Sequence, residues 1–253
     1  MSQFYIGVYW HDRPASLRQH ADTTKEFLLL LHTLHPVFKS LEWVGDRPNT
    51  AVKLSPDLSN LDDLIYHHAG GRKQAYDVTN PDGTPAWESV SNSGFGMWYG
   101  TGKSPEGGGL TISVHTGQTG PHTPNSVLIS FPEPADTRFP YREFFDYVFL
   151  KRVFLQMIAY WRPNTGRVTS RSFATAVAGD GRPGVGWLTY LSDRRASALR
   201  NDNALKDLAI EDLPDGGVLI SLGPTLISPD NLLQVEKARL LRHRLAAEKL
   251  ISV

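Results

Sequence analysis

Nine histidines and no cysteine bound the chemistry open to this chain. With no thiolate there is no cysteine nucleophile and no Cys-ligated zinc, so a metal would have to be held by imidazoles and carboxylates. His115 and His122 come nearest to a ligand pair, separated by a turn, and no HExxH brings two imidazoles onto one helical face. His32 and His35 sit three apart in a helical stretch, where a partly exposed helix end is their ordinary explanation. The expectation is no metal and no cofactor. No GxSxG elbow surrounds a serine. The carboxylate neighbours Asp62-Asp63 and Glu211-Asp212 would point different ways in a helix and so make no acid/base dyad. Gly179-Asp180-Gly181-Arg182-Pro183-Gly184 spells GxGxxG, but Pro183 and a strand follow where a dinucleotide site needs a helix N-terminus, so the string reads as a turn. Gly102-Lys103-Ser104 has the form of the end of a phosphate-binding loop, yet Pro105 disrupts the helix start and Met97 holds the place of the first glycine. A hydrolase is therefore open only through a noncontiguous site combining His115, His122 and nearby acids.

Two features point to binding instead. Ser93-Gly94-Phe95-Gly96-Met97-Trp98-Tyr99-Gly100 places large rings beside residues without side chains, which lets rings lie over backbone or meet a partner surface. Burial is the ordinary fate of Trp98; the alternative is a contact surface shared with Tyr99. Between Asn201 and Gly216 the acids Asp202, Asp207, Glu211, Asp212 and Asp215 face only Lys206. Acidic loops are commonly just solvated, but such a strip can also steer a basic protein surface. The candidate contact residues are Asp207, Glu211, Asp212, Asp215, Trp98 and Tyr99.

These residues need elements to hold them. Phe4, Ile6, Val8 and Trp10 alternate with Tyr5, Gly7 and Tyr9, the period of a strand over residues 3–10. Asp12 and Pro14 then signal entry to a helix whose positions Leu17, Ala21, Thr24, Leu28 and Leu31 run on until Pro36. A shorter helix is expected from Ser55-Pro56-Asp57 to Tyr66, ended by Gly70-Gly71. Residues 71–93 read as a surface excursion with tight turns. Strands at 94–100, 110–115 and 126–131 follow as an antiparallel meander. Residues 141–161 predict one long central helix, apolar enough to be covered round most of its circumference. Further strands are expected at 167–173, 186–191 and 218–222. Ser228-Pro229-Asp230 opens a terminal helix that runs to about Leu250. One side of that helix carries Val235, Ala238, Leu241 and Leu245 and the other carries Leu233, Leu240, Ala247 and Ile251, so it needs two neighbours. Long helices among runs of strands, without βαβ alternation, predict an α+β fold: a mainly antiparallel twisted sheet flanked by several long helices, in one domain over 1–253.

Composition narrows the partner. Over 253 residues, 26 Lys and Arg balance 26 Asp and Glu, so the basic bias of a nucleic-acid binder is missing. The longest aliphatic run, residues 28–31, falls far short of the ~20 residues that a bilayer-spanning helix needs. The first ten residues contain no Lys or Arg, unlike a secretory signal. The expectation is a soluble, cytoplasmic protein that engages neither nucleic acid nor membrane directly.

Tyr5-Ile6-Gly7-Val8-Tyr9-Trp10, Gly96-Met97-Trp98-Tyr99-Gly100 leading into Leu110-Thr111-Ile112-Ser113-Val114, Asn125-Ser126-Val127-Leu128-Ile129 and Gly186-Trp187-Leu188-Thr189-Tyr190-Leu191-Ser192 occur in an order that resembles the immunity protein 52 family of bacterial polymorphic-toxin systems. The resemblance spans most of the chain, excepting the segments 102–109 and 117–124. It implies an α+β fold without enzymatic activity. It also implies a protein partner, a cognate toxin encoded next door, typically a restriction-endonuclease-like nuclease delivered by a type VI or related secretion route. No set of toxin-contact residues comes with it. A homodimeric scaffold that uses the terminal helix is the remaining alternative.

Overall fold

The computed structural model describes residues 3–44, 50–68, 78–120, 123–178 and 184–251. In chain order these form β1 (Gln3–Trp10), α1 (Leu17–Leu34), β2 (Glu42–Trp43), β3 (Val52–Lys53), α2 (Leu61–His68), β4 (Ser93–Gly100), β5 (Thr111–Gln118) and β6 (Asn125–Pro132). Then follow α3 (Tyr147–Trp161), β7 (Thr165–Ser170), α4 (Arg171–Ala178), β8 (Leu188–Leu191), β9 (Ala209–Asp212), β10 (Val218–Ser221) and α5 (Leu232–Ala247). The strands hydrogen-bond in the order β3-β2-β4-β5-β6-β1-β7-β8-β10-β9. This is the expected α+β architecture on a large antiparallel sheet. The chain makes two compact units, one of Met1–Val8 with Ser130–Val253 and the other of Tyr9–Ile129.

In the Tyr9–Ile129 unit, α1 opens at Ser16 and not at Asp12 and Pro14. Ser16 Oγ accepts from the Gln19 amide at 3.2 Å while Gln19 Oε1 accepts from the Ser16 amide at 2.8 Å, a reciprocal cap that satisfies two otherwise orphaned donors. Leu17, Ala21, Thr24, Leu28 and Leu31 are all buried, as their spacing requires. The second helix also begins later than expected. Residues 55–60 form a turn in which the Ser55 amide donates to Asn60 Oδ1 at 2.9 Å, and Leu58 takes a left-handed φ of 57° with its side chain buried. The Gly70-Gly71 stop lies outside the described residues. β4 and β5 pair antiparallel with Gly96 opposite His115 and Trp98 opposite Ser113. β2 and β3 extend this sheet with two residues each, too few for any periodicity to signal.

In the other unit, β8 and β10 are buried at every position, which a strand achieves only when both of its faces are covered. The helix expected over 141–161 is two elements. A 3-10 turn, Arg142–Phe145, ends at Asp146, whose carboxylate accepts from the Phe149 amide at 2.8 Å and caps α3. Only one face of α3 is covered: Leu150, Val153, Phe154, Met157, Ile158 and Trp161 are buried, while Val148, Arg152, Gln156 and Ala159 are exposed. Part of the apolar surplus that suggested a fully covered helix belongs to the turn, and part meets solvent at Val148, which is 72% exposed. Phe144 and Phe145 pack against Phe131 with ring centroids 5.2 and 5.6 Å away, in a cluster with Phe4 and Phe139. The strand expected over 167–173 ends at Ser170, whose Oγ accepts from the Phe173 amide at 3.1 Å and turns the chain into α4. α5 is capped by Asn231, three residues after the expected Ser228.

Candidate functional site

β4 separates the two rings expected to act together. Its alternation sends Tyr99 into the core, fully buried, and leaves Trp98 60% exposed on the opposite face. Tyr99 is thus unavailable to a partner in this fold, and the surface candidate on β4 is Trp98. Val44 stands beside it at 42% exposure, with its amide donating to the Trp98 carbonyl at 2.8 Å. Two residues along, a Cβ at Gly96 would lie 3.2 Å from His115 Cδ2, so the missing side chain leaves the imidazole room beside the strand. His115 Nε2 lies 3.0 Å from the Ser93 carbonyl oxygen. Gly94 has φ +69°, and a Cβ there would sit 2.5 Å from the Thr116 carbonyl oxygen, a position that glycine alone tolerates. The result is an open sheet face with an exposed indole and an adjoining valine.

The covered face of the same strands holds an unusual polar layer. His20 on α1 is fully buried, its Nδ1 2.8 Å from Thr116 Oγ1 and its ring 5.9 Å from that of Phe95. Burial pushes its pKa down to about 3, with a smaller contribution from nearby His115. Burial also raises the Tyr99 hydroxyl well above its usual range. Among the described residues, His20 Nε2, Thr24 Oγ1 and the Tyr99 hydroxyl are buried without a hydrogen-bond partner.

The acidic strip lies in the other unit and is largely engaged by cations distant in sequence. Glu211 accepts from Lys151 of α3 at 2.6 Å, Asp212 meets Arg200 at 2.9 Å, and Asp202 meets Arg244 of α5 at 3.0 Å. Asp215 accepts from the Tyr190 hydroxyl and the Gly217 amide, both at 2.8 Å. Burial first, and then this carboxylate, hold the Tyr190 hydroxyl above its usual range. Glu211 and Asp212 stand on β9 at one edge of the sheet, and Asp207 is exposed in the preceding turn. Sequence neighbours suggested a free anionic strip because its cationic partners lie as far as 60 positions away.

The alternative hydrolase site falls partly outside the described residues. His122 lies outside them, and among them no group of three His, Asp or Glu gathers in metal-binding range. The GxGxxG string also falls outside them except for Gly184, which packs against Ile251. On α5 the stripe of Val235, Ala238, Leu241 and Leu245 is buried. On the second stripe Leu233 is 62% exposed, Leu240 half-buried and Ala247 exposed. No helix among the described residues is long and apolar enough to cross a membrane.

The chain is similar to the Pseudomonas aeruginosa T6SS protein PA0821, with a TM-score of 0.49 and 15% identity, covering 95% of this chain and 73% of that one. No curated protein matches it. The model of the family described as Immunity protein 52 matches residues 2–253, nearly the whole length, and the chain therefore belongs to the immunity protein 52 family.

Proposed function

We propose that this protein protects its producer by binding a cognate secreted toxin stoichiometrically, with no turnover of its own. The observation that carries the reading is the family match across residues 2–253. The toxin is a nuclease of the restriction-endonuclease-like type, delivered by a type VI or related route, and the immunity protein meets it in the cytoplasm as one functional domain. Inhibition follows from covering the toxin's active cleft or from blocking an assembly that the toxin needs.

The exposed indole of Trp98 supports a contact on the open face of β4. A large, rigid aromatic loses little rotamer entropy on docking, and tryptophan is enriched among residues that dominate interfaces. Asp207, Glu211, Asp212 and Asp215 are the second proposed contact. Because most of these carboxylates are already paired or hydrogen-bonded, their contribution is orientation and rate of approach more than affinity. Co-expression with the toxin encoded by the adjacent reading frame tests the whole reading. Survival with the wild-type chain is expected, with a Trp98→Ala variant losing at least tenfold in affinity for the purified toxin. Death of cells that contain both proteins would refute it.

A further inference from the structure

The start of α1 is fastened from outside and seated on an imidazole within. Its first two amides donate to a strap of residues 86–90, Leu17 to the Ser89 carbonyl at 2.9 Å and Arg18 to the Trp87 carbonyl at 2.8 Å. Ser16 bridges to Val90, and the Arg18 guanidinium lies 3.7 Å from the centre of the Trp87 ring while bonding Asp62 of α2 at 3.0 Å. Arg18, Trp87 and Asp62 are all half-exposed, so these fastenings reach water. On the inner side His20 is fully buried against β5, with Nδ1 2.8 Å from Thr116 Oγ1 and Nε2 without a partner. One turn further along, Thr24 Oγ1 is buried and equally unpaired.

This seat suits only a neutral ring. A protonated imidazole carries two N–H donors and a charge; Thr116 Oγ1 accepts from one donor, and the other meets no acceptor. No neighbour supplies a counter-charge. Of the titratable groups on the elements packed against this end of α1, His115 on β5 adds a repulsion and Tyr99 on β4 is neutral. Asp62 on α2 is bonded to Arg18, while Asp63 on α2, Glu88 in the strap and the entering residues His11, Asp12 and Arg13 are exposed. On α1 itself Asp22, Lys25 and Glu26 fall on the side away from His20, with Asp22 3.8 Å from Arg18.

We infer that the start of α1 is an acid-operated latch: a proton on His20 drives the first turns of the helix off β5 and releases the strap of residues 86–90 with them. The opening is local because only those turns need to lift, and the bonds that hold them on the outer side are few and wet. Lifting uncovers Leu17 and Ala21, but it also returns the imidazole and the Thr24 hydroxyl to water, which offsets part of that loss. In the open form the imidazole takes up a proton as it would in an unfolded chain, so falling pH draws the equilibrium towards opening. The latch is a property of the free chain and stands apart from the toxin reading.

Hydrogen exchange of the full-length chain, corrected for the intrinsic effect of pH on amide exchange, tests it. The amides of Leu17 and Arg18 are the reporters, since their acceptors lie in the strap. One proton per opening, taken up near the ordinary 6.5, raises their opening constant about eightfold between pH 6 and pH 5. His20→Gln is expected to abolish that dependence, and His115→Gln, on the open face of β5, to keep it. Thermal unfolding checks that each variant is folded; should His20→Gln not fold, the wild type and His115→Gln still decide. Protection that does not change with pH in the wild type, a pH dependence kept in His20→Gln, or one lost in His115→Gln would overturn the inference. So would an equal loss at the Val44 amide, held by the Trp98 carbonyl, and at the Leu222 amide, held by the Trp187 carbonyl in the other unit, because acid would then be unfolding the whole molecule.

Discussion

Trp98 and Tyr99 are chemically alike and structurally opposite, and their substitutions should separate accordingly. Trp98→Ala is expected to change folding stability by no more than about 0.5 kcal/mol, because the ring it removes is mostly in water. Tyr99→Phe removes a buried hydroxyl that has no described partner, and is expected to leave stability unchanged or raise it by about 1 kcal/mol. Urea unfolding of both variants checks this, and a clear loss in Tyr99→Phe would show that the hydroxyl is bonded after all. His20 should make folding sensitive to acid. The unfolded chain takes up a proton near the ordinary 6.5, whereas the folded imidazole resists until about 3. Its stabilising effect is complete above the unfolded value and is lost progressively as pH falls towards the folded one, by up to about 1.4 kcal/mol per pH unit. Unfolding curves at pH 7 and pH 5 should show a smaller loss in His20→Gln than in the wild type. The alternation that parts Trp98 from Tyr99 was legible in the residues of β4. Which of its two faces would be left open was not, because that depends on α1 covering one side alone.

The elements themselves were legible wherever a period ran for several turns or several alternations, as in α1, β1 and the β4 to β6 meander. Their ends were less so, since caps are chosen by local hydrogen bonds that compete closely. Asp12 with Pro14 and Ser16 with Gln19 both fit an entry signal, and only the second pair forms a reciprocal bond. Ser16→Ala should therefore cost about 1 kcal/mol, while Asp12→Ala should cost much less in the same thermal unfolding series. The long apolar stretch before Trp161 misled for a different reason. Its hydrophobicity is real, but Asp146 divides it between an aromatic turn and a helix with one wet side. Gly94 is a second element-level test. Alanine there would need φ +69° and would drive a methyl group against the Thr116 carbonyl, so Gly94→Ala should lower the unfolding temperature measurably where Gly83→Ala, in open space, should lower it less.

At the scale of the molecule, a neutral total charge conceals local order. The acidic strip is tied to Lys151, Arg200 and Arg244, which stand on three different elements of the same unit. No reading of neighbouring residues reveals this, because the pairings are made by the fold. The path of the chain carries one more implication. Residues 3–8 belong with Ser130–Val253, and the whole of Tyr9–Ile129 is made in between. On a ribosome adding about 5–20 residues per second, Phe4, Ile6 and Val8 emerge and then wait on the order of ten seconds for the segments they pack with. A freshly synthesised copy thus holds Phe4, Ile6 and Val8 unsheltered until Ser130 and the segments after it have been made, and exchanging those three greasy side chains for polar ones should cripple the unit that is completed last.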